Sequence, residues 1–136
     1  MSTSIVKYEG ALRTSSTHVF SGTVIVSDAP TDNLGKGEAF SPTDLTANSL
    51  AQCILTTIGI VAQRDGHPSI EGTVATVTKV MYSEPRRIGE IHVEIKFAGG
   101  PFSENDIQRY ENTAHTCPVA RSLHPEIKQV LTFIWP

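Results

Sequence analysis

The chain has 136 residues and a mass of 14.7 kDa, which predicts a single domain over residues 1–136. Its formal net charge is −3 and its Lys and Arg residues do not cluster, so neither nucleic acid nor a membrane surface is an expected partner. The N-terminus has no apolar signal region, and the longest apolar run, Ile54 to Ala62, is shorter than a membrane span. These features predict a cytoplasmic protein.

The first third of the chain has the composition of β-strands. Residues 4–16 and 18–29 are rich in β-branched and aromatic side chains, and Ser21-Gly22 is typical of a turn between strands. We expect a meander or a hairpin here. Residues 29–39 collect Pro, Asp, Asn and Gly without apolar periodicity, which predicts a loop that leads to the first helix.

The first helix has a clear start signal, with Ser41 at the N-cap, Pro42 at the first helical position and Asp44 as a capping-box carboxylate. Over residues 40–63 the apolar side chains recur at helical spacing and form two adjacent stripes. A helix of this kind should be covered on more than one side, which predicts packing on a sheet and against a second copy of the chain. The first stripe contains Ala47, Ala51, Ile54, Ile58 and Val61, and the second contains Leu50, Cys53, Thr57 and Ile60.

The remainder of the chain predicts a hairpin, two helices and a last strand. Ser103 is the expected N-cap of the longer helix, which should end before Pro118. The order of elements favours an α+β domain over a parallel βαβ repeat. The predicted segments are strands at 70–84 and 87–100, a helix within 101–117, a short helical turn within 117–127 and a strand at 128–136.

The chain has two cysteines, Cys53 in the first helix and Cys117 directly before Pro118. In a reducing cytosol, such residues are either inert small hydrophobic side chains or a chemically active thiol pair. The N–H groups at the start of a helix favour a thiolate, so local physics predicts that Cys117 is the more acidic thiol. The five histidines are scattered and give little support for a metal site.

Two stretches, "FSPTDLTANSLAQC" and "CPVARSLHP", resemble the family of osmotically inducible protein C (OsmC) and organic hydroperoxide resistance protein (Ohr). Members carry an Asn/Ser-Pro-acidic opening to a central helix, a cysteine eleven residues after that proline, and a later Cys-Pro. Pro42 and Cys53 show the same interval here. The resemblance implies an OsmC-like fold, with antiparallel sheets packed on central helices in an intertwined homodimer.

The resemblance also implies a thiol-dependent peroxidase that reduces organic hydroperoxides. Cys53 would attack the peroxide and become a sulfenic acid, and Cys117 would condense with it to a disulfide. A dithiol reductant, in this family often carried by a lipoylated protein, would restore the thiols. The reaction implied by the resemblance uses no metal, haem or flavin cofactor.

One position departs from the family pattern. Members activate the thiolate with an arginine held by a glutamate directly after the motif proline, but this chain has Thr43 there. Candidate activating residues are Arg13, Glu38 and Asp44, although Asp44 also fits the helix cap. The departure keeps three alternatives open: a dimer without peroxidase activity that binds a small hydrophobic or thiol ligand, a redox sensor, or a purely structural dimer.

Overall fold

A computed structural model describes residues 1–136 and confirms the predicted α+β class. The chain forms two compact units, a first unit of residues 1–46 and a second unit of residues 47–136. The single domain over the whole chain stays a prediction.

The first unit contains a three-stranded antiparallel meander in the order β1-β2-β3. The strands are β1 (Ser4–Gly10), β2 (Arg13–His18) and β3 (Val24–Asp28). The turn predicted at Ser21-Gly22 is confirmed. A second turn, between β1 and β2, was not predicted because it places Ala11 and Leu12 at positive φ (53° and 64°), where glycine or asparagine is the usual sequence signal.

A loop with one 3-10 turn (Thr31–Asn33) connects the meander to the helix α1 (Pro42–Asp65). The predicted capping box at the start of α1 is confirmed. The Ser41 hydroxyl accepts the Asp44 N–H at 3.1 Å, and the Asp44 carboxylate accepts the Ser41 N–H at 3.0 Å. The helix therefore begins where its local sequence predicts.

The second unit contains a three-stranded sheet in the order β4-β5-β6. The hairpin of β4 (Val74–Tyr82) and β5 (Arg87–Lys96) is antiparallel, as predicted, but β6 (Lys128–Ile134) runs parallel to β5. The sheet is therefore mixed, unlike the antiparallel sheets that we expected. A parallel pair needs a long crossover, which α2 (Glu104–His115) and α3 (Pro118–Ser122) provide.

The hydrophobic core of the second unit lies between α1, α2 and the inner face of the sheet. Strand β5 is central to this core, and its residues Ile91, Val93 and Ile95 are fully buried. By length and composition alone, α1 could also cross a membrane, which the short Ile54–Ala62 run did not predict. Its apolar residues instead supply much of this core: Ala47, Leu50, Ala51, Ile54, Ile58 and Ala62.

Candidate active site

Cys53 lies in the middle of α1, on a face that is partly accessible. Its Sγ is 3.7 Å from the hydroxyl oxygen of Thr57, one helical turn further along. Residues four apart on an α-helix lie on the same face, so the helix itself fixes this pair. Cys53 therefore has a hydroxyl neighbour and a route to solvent.

Cys117 lies at the N-cap of α3 and is fully buried. The helix begins here because Pro118 occupies its first position, where a missing N–H costs no hydrogen bond. The Cys117 Sγ accepts the Ala120 N–H at 3.4 Å. The Gln129 side chain on β6 donates to the Ala120 carbonyl at 3.0 Å and ties α3 to the sheet.

The structure brings the two thiols together although they are far apart in the sequence. Cys117 and Cys53 share a side-chain hydrogen bond, and the Val119 N–H at the start of α3 also donates to the Cys53 sulfur. Both cysteines are free thiols. Contact between α1 and the first turn of α3 thus creates a dithiol site within the second unit.

The electrostatics of the site separate the two thiols. Burial raises the pKa of Cys53, but hydrogen bonds from Val119, Cys117 and Thr57 outweigh it and hold the pKa below its ordinary value. Burial likewise raises the pKa of Cys117, and the neighbouring Cys53 raises it further, against the Ala120 N–H bond. The prediction that Cys117 is the more acidic thiol is therefore wrong, because it considered the helix terminus without the burial.

This arrangement suits two-step thiol chemistry. The accessible thiol with the lower pKa can ionise and act as a nucleophile, while the buried thiol stays protonated beside it. A disulfide can form after the first thiol has been oxidised, because its partner is already in contact. No group of three His, Cys, Asp or Glu side chains is placed to hold a metal ion.

The first unit holds a separate charged cluster around Arg13. The guanidinium lies 2.9 Å from a Glu38 carboxylate oxygen and 3.3 Å from one of Asp28. Glu38 therefore contacts this arginine, whereas the Asp44 carboxylate accepts the Ser41 N–H of the helix cap. The role of Arg13, Glu38 and Asp44 in activating a thiolate stays a prediction.

Asp28 is a member of this cluster that the sequence analysis missed. Its side chain is fully buried. One carboxylate oxygen accepts hydrogen bonds from both the Arg13 guanidinium and the Glu38 N–H, the latter at 3.0 Å. The Glu38 N–H bond lowers the pKa of Asp28 most, burial opposes it, and Arg13 lowers the pKa further. The pairing of Arg13 with Asp28 comes from the β2–β3 register, which has no short-range sequence signal.

Two further residues at the thiols were also missed. Thr57 had a usable signal, since a hydroxyl four residues after a helical cysteine lies on the same face. No sequence signal identifies Val119, because its N–H reaches Cys53 only through the packing of α3 on α1. Local periodicity could thus have found one of the two donors.

The chain is similar to known proteins in sequence and in fold. Residues 35–131 match the family model described as OsmC-like protein. A crystal structure from Psychrobacter arcticus 273-4, provisionally described as an osmotic stress induced and detoxification response protein, shares 52% identity. It superposes with a TM-score of 0.92 over 98% of this chain and 96% of that one. No curated protein matches this chain.

Two more distant structures share the fold. An organic hydroperoxide resistance protein OsmC from Legionella pneumophila has 21% identity and a TM-score of 0.71, covering 98% of each chain. An organic hydroperoxide resistance protein from Elizabethkingia anophelis has 15% identity and a TM-score of 0.74, covering 100% of this chain and 98% of that one. With the family match over most of its length, this chain belongs to the OsmC-like protein family.

Proposed function

We propose that this protein is a thiol-dependent peroxidase that reduces organic hydroperoxides through a Cys53–Cys117 redox pair. The observation that carries the proposal is the hydrogen-bonded thiol pair, in which the accessible Cys53 has the lowered pKa. Family membership supports it, as do the relatives described as organic hydroperoxide resistance proteins. This reaction requires at least a nucleophilic thiol and an adjacent thiol that converts the sulfenic acid to a disulfide.

In the first step, the Cys53 thiolate attacks the terminal oxygen of the hydroperoxide ROOH. The S–O bond forms as the O–O bond breaks, so Cys53 becomes a sulfenic acid and the substrate leaves as an alkoxide. A proton from solvent converts the alkoxide to the alcohol ROH. The Val119 N–H stabilises the attacking thiolate before this step.

In the second step, Cys117 attacks the sulfenic sulfur of Cys53. A disulfide forms and the sulfenic oxygen leaves as water, taking the proton released by the Cys117 thiol. An external dithiol then reduces the disulfide by exchange and becomes a disulfide itself. The buried, hydrogen-bonded position of Cys117 keeps this thiol protonated until Cys53 has been oxidised.

We also propose that Arg13 is the cation that assists the thiolate, despite the Thr43 departure. The family pattern pairs the arginine with a glutamate after the motif proline, and here Asp28 and Glu38 bind the guanidinium instead. Two carboxylates on one guanidinium fix its orientation. The first unit thus has an arginine held by carboxylates other than the glutamate of the family pattern, which supports the peroxidase proposal.

We propose further that the protein is a homodimer. Neighbouring residues on a strand point to opposite faces, and on β1 both Ile5 and Val6 are more than 60% exposed. Ile25 on β3 and Ile60 on α1 are about half exposed as well. Large apolar surfaces of this kind mark interaction sites, and a second copy of the chain is the partner that the family resemblance implies.

Stopped-flow measurement of cumene hydroperoxide consumption tests the peroxidase proposal. We expect the reduced protein to consume the peroxide rapidly, and Cys53→Ser to reduce the rate to that of buffer. Cys117→Ser should still consume one equivalent per chain and then hold a sulfenic acid that dimedone traps. Each variant must keep the circular dichroism spectrum of the parent protein.

Two results would argue against the proposal. Consumption at the buffer rate by the unmodified, reduced protein would favour the binding alternative. Loss of activity in Cys117→Ser without any trapped sulfenic acid would show that Cys53 is not the residue that meets the peroxide. The same experiment with hydrogen peroxide measures the preference for organic substrates.

A further inference from the structure

We propose that Thr57 is a catalytic residue whose hydroxyl donates a hydrogen bond to the Cys53 thiolate and keeps it ionised. The inference rests on the proposed function and deepens it. Thr57 Oγ1 lies 3.7 Å from Cys53 Sγ, the atom that would react with the peroxide. A thiolate has no proton to give, so the hydroxyl is the donor whenever Cys53 is ionised.

The Thr57 hydroxyl behaves differently from other hydroxyls on the helices of this chain. Such hydroxyls commonly donate to the carbonyl four residues earlier. Thr113 does so to Arg109 at 2.8 Å, and Ser122 to Pro118 at 2.8 Å. The contact of Thr57 is with the sulfur of the residue four positions earlier, so its hydroxyl is directed to the thiol.

Thr57 is one of three donors that converge on the Cys53 sulfur, with the Val119 N–H and the Cys117 thiol. Substitution of Cys117 would also remove the resolving thiol, and Val119 donates from the main chain. Thr57 is therefore the donor that a side-chain substitution can remove while leaving both thiols and α3 unchanged. A hydrogen bond to a charged acceptor is stronger than one to a neutral acceptor, so its removal should affect the thiolate more than the thiol.

The adjacent residue gives a matched control. Thr56 has the same side chain on the same helix, but it is exposed, whereas Thr57 is half-buried against the thiol. Thr57→Val and Thr56→Val each remove one threonine hydroxyl and leave a side chain of nearly the same shape. Thr57→Ser keeps the hydroxyl and removes a methyl group, which separates hydrogen bonding from packing.

The test is the pH profile of Cys53 alkylation by iodoacetamide, with modification of the Cys53 peptide quantified by mass spectrometry. We expect Thr57→Val to raise the apparent pKa of Cys53 by about one unit, which lowers the alkylation rate about tenfold below that pKa. Thr57→Ser and Thr56→Val should keep the profile of the parent protein. If Thr57→Val does not fold, Thr57→Ala compared with Thr57→Ser makes the same test.

An unchanged Cys53 profile in Thr57→Val, or an equal shift in Thr56→Val, would overturn the role of Thr57. This readout does not depend on peroxidase activity. A shifted profile in a protein that consumes no cumene hydroperoxide would therefore contradict the peroxidase proposal while supporting the hydrogen bond. A shifted profile with slower peroxide consumption at neutral pH supports both.

Discussion

The two sheets of this protein differ in how far their apolar side chains are buried. In the second unit, β5 buries Ile91, Val93 and Ile95 against helices and presents Glu94 and Lys96 to solvent. In the first unit, Ile5 and Val6 on β1 are both exposed although they lie on opposite faces. The second unit has its own core, whereas the meander leaves apolar surface uncovered.

The thiols and the charged cluster around Arg13 also belong to different units. Both thiols and all the donors that act on them belong to the second unit, next to its core. The Arg13 cluster belongs to the first unit. The second unit fixes the thiol geometry by packing, while the meander of the first unit leaves apolar side chains exposed, as a surface that binds a partner would. Substitutions in each unit test its part of this difference.

The largest expected effect concerns the exposed meander. Ile25→Lys places a charge on β3, and if a second copy covers this surface, burial of that charge would prevent dimerisation. We expect the unmodified protein to have about twice the monomer mass of 14.7 kDa, and the variant to have the monomer mass. Light scattering after size-exclusion chromatography measures both. Gln108→Lys, on the exposed face of α2, is the control and should remain dimeric.

An unmodified protein with the monomer mass would contradict the dimer proposal outright. A dimer that Ile25→Lys leaves intact would place the interface elsewhere on the chain.

The next effect concerns the core of the second unit. Ile58 is fully buried on α1, so Ile58→Ala should lower the free energy of unfolding by about 2–5 kcal/mol through lost burial and a residual cavity. Thr56→Ala, on the exposed side of the same helix, should change it by less than about 1 kcal/mol. Urea denaturation at one fixed protein concentration gives both values. A small loss in Ile58→Ala would show that the core does not depend on this helix.

Features set by neighbouring residues were predictable from the sequence. The cap at Ser41 and Asp44 and the corresponding box at Ser103 and Asp106 both formed as their spacing indicates. The short helix after Pro118 also formed, because proline can start a helix but cannot lie in its interior. The α+β class followed from the order of these elements.

Features that depend on distant contacts were not predictable in this way. The parallel pairing of β6 with β5 depends on the crossover through α2 and α3, and the burial of Cys117 depends on how α3 packs. The acidity ranking of the two thiols was wrong for this second reason. Contact between Cys53 and Cys117 was suggested by a family resemblance, since sequence spacing alone does not determine it.

A smaller effect concerns the acid stability of the Arg13 cluster. The pKa of Asp28 in the folded protein is below its ordinary value of 3.8, so the folded state favours the ionised carboxylate. This stabilisation is fully present above the ordinary pKa and is lost as the pH falls through the lowered folded value. Asp28→Asn should therefore be less stable than the parent protein at pH 7, and the difference should shrink below about pH 4.

Urea denaturation of both proteins between pH 7 and pH 2.5 measures this difference. Glu126→Gln, at an exposed acidic residue between α3 and β6, is the control. A gap between Asp28→Asn and the parent protein that stays constant over the whole range would contradict the assignment of the lowered pKa to Asp28.

The proposed reaction requires that Cys53 and Cys117 of one chain together give two electrons to the hydroperoxide and form a disulfide with each other. Its most direct test is intact-mass and peptide mapping of the reduced protein after one equivalent of cumene hydroperoxide. We expect a loss of two hydrogens per chain and a peptide pair joined by a Cys53–Cys117 disulfide. A stable oxygen adduct on Cys53 with Cys117 still reduced, or a disulfide between two chains, would contradict it.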